Sequence, residues 1–269
     1  MDFTESELEE LAFTAREAAE AGGKVIREGA KSGFRVDFKG EVDLVTDVDR
    51  RAEEVVTSML EKRYPRIGIL AEEDGARGSE SIRWIVDPLD GTTNFAHGHP
   101  FVATSVGLQV EQELVAGAVC APLLGWTQHA YVNGGTWMND EKIHVSTTPV
   151  LDTALLATGY PYNRRTARNN NSSQHAAFIR RCQGVRRCGA ATIDCALLAA
   201  GVYDGFWEPG LKPWDLAAGV LLIAEAGGTV SGYDGHGIDI FEGNVVASNG
   251  LIHNEMMEVL RQTGAGARK

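Results

Sequence analysis

The chain has 269 residues, 43% hydrophobic and 23% charged, with 37 acidic against 25 basic side chains and a net charge of −12. That suits an ordered globular protein of one large domain or two modest ones sharing a core. It disfavours non-specific nucleic-acid binding, which needs basic side chains against phosphates, and no apolar run approaches the roughly 20 residues that span a bilayer.

The start, Met1-Asp2-Phe3-Thr4-Glu5, is acidic and lacks the basic, then apolar character of a signal peptide, so a cytoplasmic location without membrane attachment is expected. Cys120, Cys182, Cys188 and Cys195 show no C-x-x-C pairing or zinc spacing and read as reduced thiols.

Thr4-Glu5-Ser6-Glu7 is a capping box, and Leu8, Leu11, Ala12, Ala15, Ala18, Ala19, Val25 and Ile26 follow at helical spacing. They predict a long amphipathic helix with Gly22-Gly23 as its weak point. The polar stretch 31–43 reads as a mobile loop, and a second helix runs from about Asp47 to Tyr64, stopped by Pro65. Strands are then expected at 67–70, 84–86, 102–110, 114–122 and 128–132, with a short piece at 143–146. Asn133-Gly134-Gly135 and Asn139-Asp140 mark turns between them. Such short connections predict a mostly antiparallel sheet flanked by the two early helices.

Beyond about residue 150 strands and helices alternate. Strands are expected at 155–158, 185–187, 205–208 and 245–247, and helices at 172–182, 190–200, 215–226 and 253–262. The fold expected is therefore a layered α+β or α/β sandwich, alternating α-β-α-β-α. Residues 1–148 would form a helix-and-sheet half and 149–269 a smaller α/β half.

The chemistry concentrates in Trp84-Ile85-Val86-Asp87-Pro88-Leu89-Asp90-Gly91-Thr92-Thr93-Asn94-Phe95. Two carboxylates leave a buried strand inside a turn shaped by Pro and Gly. Carboxylate oxygens are ligands for Mg²⁺, and the amides of the turn after them suit an anion. Asp49, Glu72-Glu73 and Asp215 also stand at the ends of predicted elements. Each has a plainer reading: Thr46-x-x-Asp49 as a capping box, Glu72-Glu73-Asp74 as a solvated loop, Asp215 as a helix cap.

Taken together, V-T-D-V-D at 45–49, E-E-D at 72–74, the 84–95 stretch and W-D-L-A-A-G at 214–219 resemble the inositol monophosphatase family of Mg²⁺-dependent phosphomonoesterases, in the family's order. The resemblance implies two or three Mg²⁺ per site and inhibition by lithium. It assigns Glu72, Asp87 and the carbonyl of Leu89 to one ion, and Asp87, Asp90 and Asp215 to another. Four carboxylates then balance the ions, leaving a loaded site that accepts a phosphate dianion. A water activated by Mg²⁺ and oriented by Glu72 and Thr92 would attack phosphorus in line. Asp49 would accept the Thr92 hydroxyl proton, and the amides of Gly91 and Thr92 would hold the phosphate. Asp90, an amide of the Gly189-Ala190-Ala191 segment (assigned to Ala191) and Glu208 would contact the alcohol. The expected substrate is a small phosphorylated polyol or sugar, inositol monophosphate first, and the expected assembly a homodimer.

Two departures stand out. Ala71 occupies the position before the paired glutamates where the family usually has Gly. Thr158-Gly159-Tyr160-Pro161-Tyr162 and Lys212-Pro213 resemble bacterial members, which leaves histidinol phosphate, fructose 1,6-bisphosphate, galactose 1-phosphate and 3′-phosphoadenosine 5′-phosphate as alternative substrates. His97 and His99 would share a face of an extended segment but lack further zinc ligands. The aspartates, three apart rather than two, do not suit an aspartyl-nucleophile phosphatase. Arg164, Arg165, Arg168, Arg180, Arg181, Arg186 and Arg187 read as solvated faces or subunit contacts, with a regulatory role on RNA or transcription machinery as the alternative.

Overall fold

A computed structural model describes residues 3–38 and 44–265. In chain order these form α1 (Glu5–Ser32), β1 (Val36–Phe38), β2 (Leu44–Thr46), α2 (Asp47–Arg63), β3 (Gly68–Ala71), β4 (Gly75–Arg77), β5 (Ile82–Asp90), α3 (Thr92–Ala96), β6 (Ala103–Val110), β7 (Glu113–Ala121), β8 (Trp126–Tyr131), β9 (Gly135–Met138) and β10 (Glu141–Ile143). A 3-10 turn at Leu151–Thr153 leads to β11 (Leu155–Thr158), α4 (Ser172–Phe178), β12 (Gly184–Arg186), α5 (Ala191–Ala199), β13 (Gly205–Glu208), α6 (Pro213–Glu225), β14 (Thr229–Ser231), β15 (Val245–Ser248) and α7 (His253–Gln262).

Eight strands form one sheet in the order β10-β9-β8-β7-β6-β5-β3-β4. It is antiparallel except where β3 runs parallel to β5. Five strands form the second, β12-β11-β13-β15-β14, in which the first three are parallel.

Strand alternation builds five layers. Trp84 and Val86 of β5 face α1 and α2, joining Leu11, Ala15, Val56 and Leu60, while Ile85 faces α5 and α6. In the second sheet Ala157 and Phe206 face the same two helices. Leu156 and Trp207 turn the other way, onto Phe178 of α4 and Met256 of α7. The order is α1/α2, sheet, α5/α6, sheet, α4/α7, the α-β-α-β-α sandwich expected. Because α5 and α6 are covered on both sides, most of their residues are apolar and buried rather than confined to one stripe.

The capping box at Thr4 is present, with the Glu7 amide donating to the Thr4 hydroxyl and the Thr4 amide to the Glu7 carboxylate. Gly22 and Gly23 do not weaken α1. A Cβ at Gly22 would lie 2.8 Å from the Thr104 side chain and one at Gly23 2.7 Å from Cys120 Sγ, so the two glycines let the helix lie close on β6 and β7. The expected loop at 31–43 is partly ordered: α1 continues to Ser32 and β1 pairs with β2, while residues 39–43 lie outside the described residues. The strand expected at 84–86 continues to Asp90, and the helix expected at 172–182 ends at Phe178. Strands β4, β9 and β14 lie where turns or no element were expected. Among the described residues no helix is long and apolar enough to cross a membrane.

Candidate active site

Strand β5 survives Pro88 because its pairing with β6 shifts register between Asp87 and Asp90, and a bulge has no use for the missing N–H. Asp87 Oδ1 accepts the Leu89 amide at 3.0 Å, and Thr104 Oγ1 donates to Pro88 O at 2.9 Å. The bulge brings Asp87 and Asp90 out at the strand's end. Gly91 then reverses the chain at φ +87°, where a Cβ would meet Phe101 O at 2.7 Å, and α3 begins.

Asp49 fulfils both of its readings with different oxygens. Oδ2 accepts the amide of Thr46 at 2.8 Å and its hydroxyl at 2.5 Å, closing the capping box of α2. Oδ1 accepts the Thr92 hydroxyl at 2.8 Å, whose oxygen also lies 3.1 Å from Leu89 O. Burial pushes the Asp49 carboxyl upward, and the hydrogen bonds from Thr46 and Thr92 oppose it.

Asp215 comes from the second half of the chain. Pro213 opens α6, and Asp215 Oδ2 accepts the Lys212 amide at 2.7 Å. Gly107 lets α6 approach the sheet, since a Cβ there would stand 2.8 Å from Ala217 Cβ. One oxygen each from Asp87, Asp90 and Asp215 then fall within 4.8 Å of one another, the sole such cluster of metal-binding side chains among the described residues. Asp90 is also tied to α5: Thr192 donates its amide to Oδ2 at 2.7 Å and its hydroxyl at 2.5 Å. Burial raises all three carboxyls. For Asp87 and Asp215 neighbouring negative charge adds to it, with Glu72 contributing to both; Asp90 is held at about 6 by its bonds to Thr192.

Glu72 follows β3, which is parallel to β5 and ends on the same edge, and its amide donates to Val86 O at 3.2 Å; its charge is felt at Asp87 and Asp215, though its carboxylate is not one of the three that cluster. The turn carrying it is held by a residue the sequence reading missed. Glu53, buried on α2, accepts the amides of Glu73 at 2.9 Å and Asp74 at 2.7 Å. Its signal was present: Glu53 lies four residues after Asp49 on the stripe that carries Ala52 and Val56, and an acid on a buried stripe needs a partner. Ala71, where the family usually has Gly, is fully buried at the end of β3.

Asp90 and Asp215 open into a cleft of about 480 Å³ lined also by Gly91, His97, Tyr160, Arg164, Arg187, Ala191 and Glu208. Glu208 is buried, and that burial raises its carboxyl to about 8, with Arg187 lowering and Asp90 raising it. It lies over Gly159, where a Cβ would meet its Oε1 at 2.0 Å. The Ala191 backbone lies beside Asp90 and helps lower its carboxyl, and Ala191 also lines the cleft. His99 stacks on Phe101 with ring centroids 5.1 Å apart, while His97 lines the cleft.

The inositol monophosphatase family model matches residues 7–265. The chain belongs to the inositol monophosphatase family. An inositol-1-monophosphatase of Synechocystis is 40% identical over 264 residues, covering 97% of this chain and 92% of the relative. The Nus factor SuhB of Pseudomonas aeruginosa is 38% identical, covering 89% and 91%. The solved inositol monophosphatase of Anabaena superposes with a TM-score of 0.88 at 36% identity, over 95% of this chain and 97% of that one. Members of the inositol monophosphatase family are metal-dependent phosphatases of phosphomonoesters, and this chain is a phosphatase of that kind.

Proposed function

We propose that the protein hydrolyses a small phosphorylated polyol, inositol monophosphate first among candidates, with Mg²⁺ as its metal. The observation that carries this reading is the convergence of Asp87, Asp90 and Asp215 beside the Thr92–Asp49 pair. The donor set fits the ion: the ligand atoms are hard oxygens, with no thiolate or imidazole among them, and three carboxylates this close, one buried and two partly so, repel one another unless cations lie between them. Glu72, Asp87, Asp90, Asp215 and the Leu89 carbonyl would hold two or three ions. Bound Mg²⁺ supplies Lewis acidity toward the phosphoryl oxygens, a more acidic water and charge compensation for the leaving oxygen.

The chain's own groups do the positioning. The Thr92 hydroxyl donates its hydrogen bond to Asp49, so its oxygen lone pairs face the attacking water and can accept a hydrogen bond from it, with Glu72 also orienting that water. The first amides after β5, at Gly91 and Thr92, would hold the phosphate oxygens. Glu208 and the wall at Ala191 would meet the alcohol, and the free oxygen of Asp90 a neighbouring hydroxyl.

Phosphate release from myo-inositol 1-phosphate, histidinol phosphate, fructose 1,6-bisphosphate, galactose 1-phosphate and 3′-phosphoadenosine 5′-phosphate, ranked by kcat/KM with Mg²⁺ and with chelator, tests the reading. No Mg²⁺-dependent release from any of them would refute it. Millimolar lithium should inhibit. A cytoplasmic homodimer belongs to the same proposal, supported by the resemblance, and sedimentation in dilute buffer checks the dimer. A second reading, contact with transcription machinery, draws on the relatives named Nus factor SuhB and on the exposed Arg180, Arg181 and Arg186. Recovery of RNA or transcription proteins with the native protein would support it.

A further inference from the structure

Asn169, Asn170 and Asn171 are three identical polar residues in a row, and the fold gives each a different task. Asn169 Oδ1 accepts Gln174 Nε2 at 3.1 Å, and Asn170 Nδ2 donates to Arg164 O at 3.2 Å. Asn171 is fully buried and stands at φ +68°, in the left-handed region, as the N-cap of α4. An asparagine there ordinarily caps the helix with its side-chain oxygen. Among the described residues this side chain makes no cap bond. It turns instead to the second sheet: Nδ2 donates to Gly159 O at 2.6 Å and to Thr158 Oγ1 at 2.7 Å, and Oδ1 accepts the Trp207 indole N–H at 2.7 Å.

Those three partners converge on Glu208. Trp207 precedes it on β13, and Thr158 Oγ1 donates to Trp207 O at 2.5 Å across the paired β11 and β13. Gly159 lies under the Glu208 carboxylate, whose Oε1 would be 2.0 Å from a Cβ there. Asn171 thus grips both the residue before Glu208 and the residue beneath it. The same turn of α4 braces the adjoining wall, since His175 Nδ1 lies 2.5 Å from the hydroxyl of Tyr160, which lines the cleft. The Asn171 bonds are buried, where a donor or acceptor left unmet costs most.

We propose that Asn171 is a positioning residue for the alcohol side of the cleft, holding Glu208 where it meets the hydroxyl groups of the substrate. The inference rests on the phosphatase reading and on Glu208 meeting the alcohol. The competing role for a buried asparagine is to hold the fold in general, and it forecasts equal losses on every substrate.

The test takes two variants. Asn171→Asp keeps the size and the tolerance of a left-handed backbone but loses the donor to Gly159 and Thr158. Asn171→Gly keeps the backbone conformation without the side chain. Each is assayed with Mg²⁺ on the polyol or sugar phosphate that wild type hydrolyses best, and on p-nitrophenyl phosphate, whose alcohol has no further hydroxyl for Glu208 to meet. KM for the hydroxylated substrate should rise roughly 5- to 30-fold with kcat little changed, within the range for a buried hydrogen bond. Both constants for p-nitrophenyl phosphate should stay within about twofold. In a Glu208→Ala background the same changes should add less than about twofold in KM, because the contact they act through is gone. Circular dichroism at the assay temperature identifies the variant that stays folded. Equal losses on both substrates, a fall in kcat alone, full additivity with Glu208→Ala, no change, or collapse of both variants overturns the inference and leaves the phosphatase reading in place. Absence of Mg²⁺-dependent hydrolysis of any substrate by wild type overturns both.

Discussion

Replacing Asp90 by asparagine should make the metal-free protein more stable and at the same time abolish its response to Mg²⁺. In the folded chain the Asp90 carboxyl is raised from 3.8 to about 6. A folded-state value above the unfolded one means stability that is complete below about pH 4 and lost as pH rises through about 6. A shift of two units corresponds to about 3 kcal/mol, reduced to about 1–3 kcal/mol because the cleft is open to water. At roughly 2–4 °C per kcal/mol for a chain of this size, chelated Asp90→Asn should melt roughly 2–12 °C above chelated wild type at pH 7.5. The two should converge near pH 4. Saturating Mg²⁺ should reverse the order, since a ligand at a hundred times its Kd adds about 2.7 kcal/mol to the protein that binds it. Thermal melts at pH 4 to 8, with EDTA or 5–10 mM (about physiological order) Mg²⁺, read both effects. An equal Mg²⁺ increment in variant and wild type, or a chelated variant no more stable at pH 7.5, would show that the three aspartates do not share a cation.

Glu53→Gln should cost about 1–3 kcal/mol in denaturant titrations, since the amides of Glu73 and Asp74 lose an ionised acceptor. It should also lower kcat by loosening the turn that carries Glu72; retention of full kcat would separate that turn from the chemistry. His129 is buried beside Arg16 and its pKa is lowered to about 4, so stability present above pH 6.5 should be lost as pH falls from 6.5 to about 4. Urea midpoints across that range, measured with Mg²⁺ bound, should flatten in His129→Gln. Gly159→Ala forces Glu208 out of place and should raise KM for the alcohol at least tenfold (roughly 1.4 kcal/mol), with circular dichroism checking that the fold persists.

What the sequence made legible were groups that announce themselves locally. The Thr4 capping box, the apolar spacing of α1 and the acids at the ends of β3, β5 and the start of α6 all lie within a few residues of the feature that marks them. The strand β5 was read too short because Pro88 is a strong breaker, and only the pairing with β6 reveals the bulge that accommodates it. Short edge strands such as β4, Gly75–Arg77, carry no alternation to read. Thr192 was missed because its contact with Asp90 joins residues 102 apart, and nothing near Thr192 signals it. The arginines of the cleft were read by charge alone, which cannot tell a solvated face from the wall of a pocket. For Asp49 the two readings weighed against each other proved compatible, since a carboxylate has two oxygens.

The position of α6 also bears on how the chain is made. The eight-stranded sheet is complete at Ile143, with α1 and α2 already available for one face. Its other face waits for α5 and then α6, the latter starting some 70 residues later at Pro213. At the usual pace of translation that interval lasts on the order of 4–14 s. Until α5 (from Ala191) emerges, Ile85, Val119, Ala121 and Ala130 have no helix over them, and the cover is complete only with α6. The nascent chain therefore passes through a stage with one sticky flank, and slowing synthesis between residues 143 and 213 should increase its dependence on chaperones.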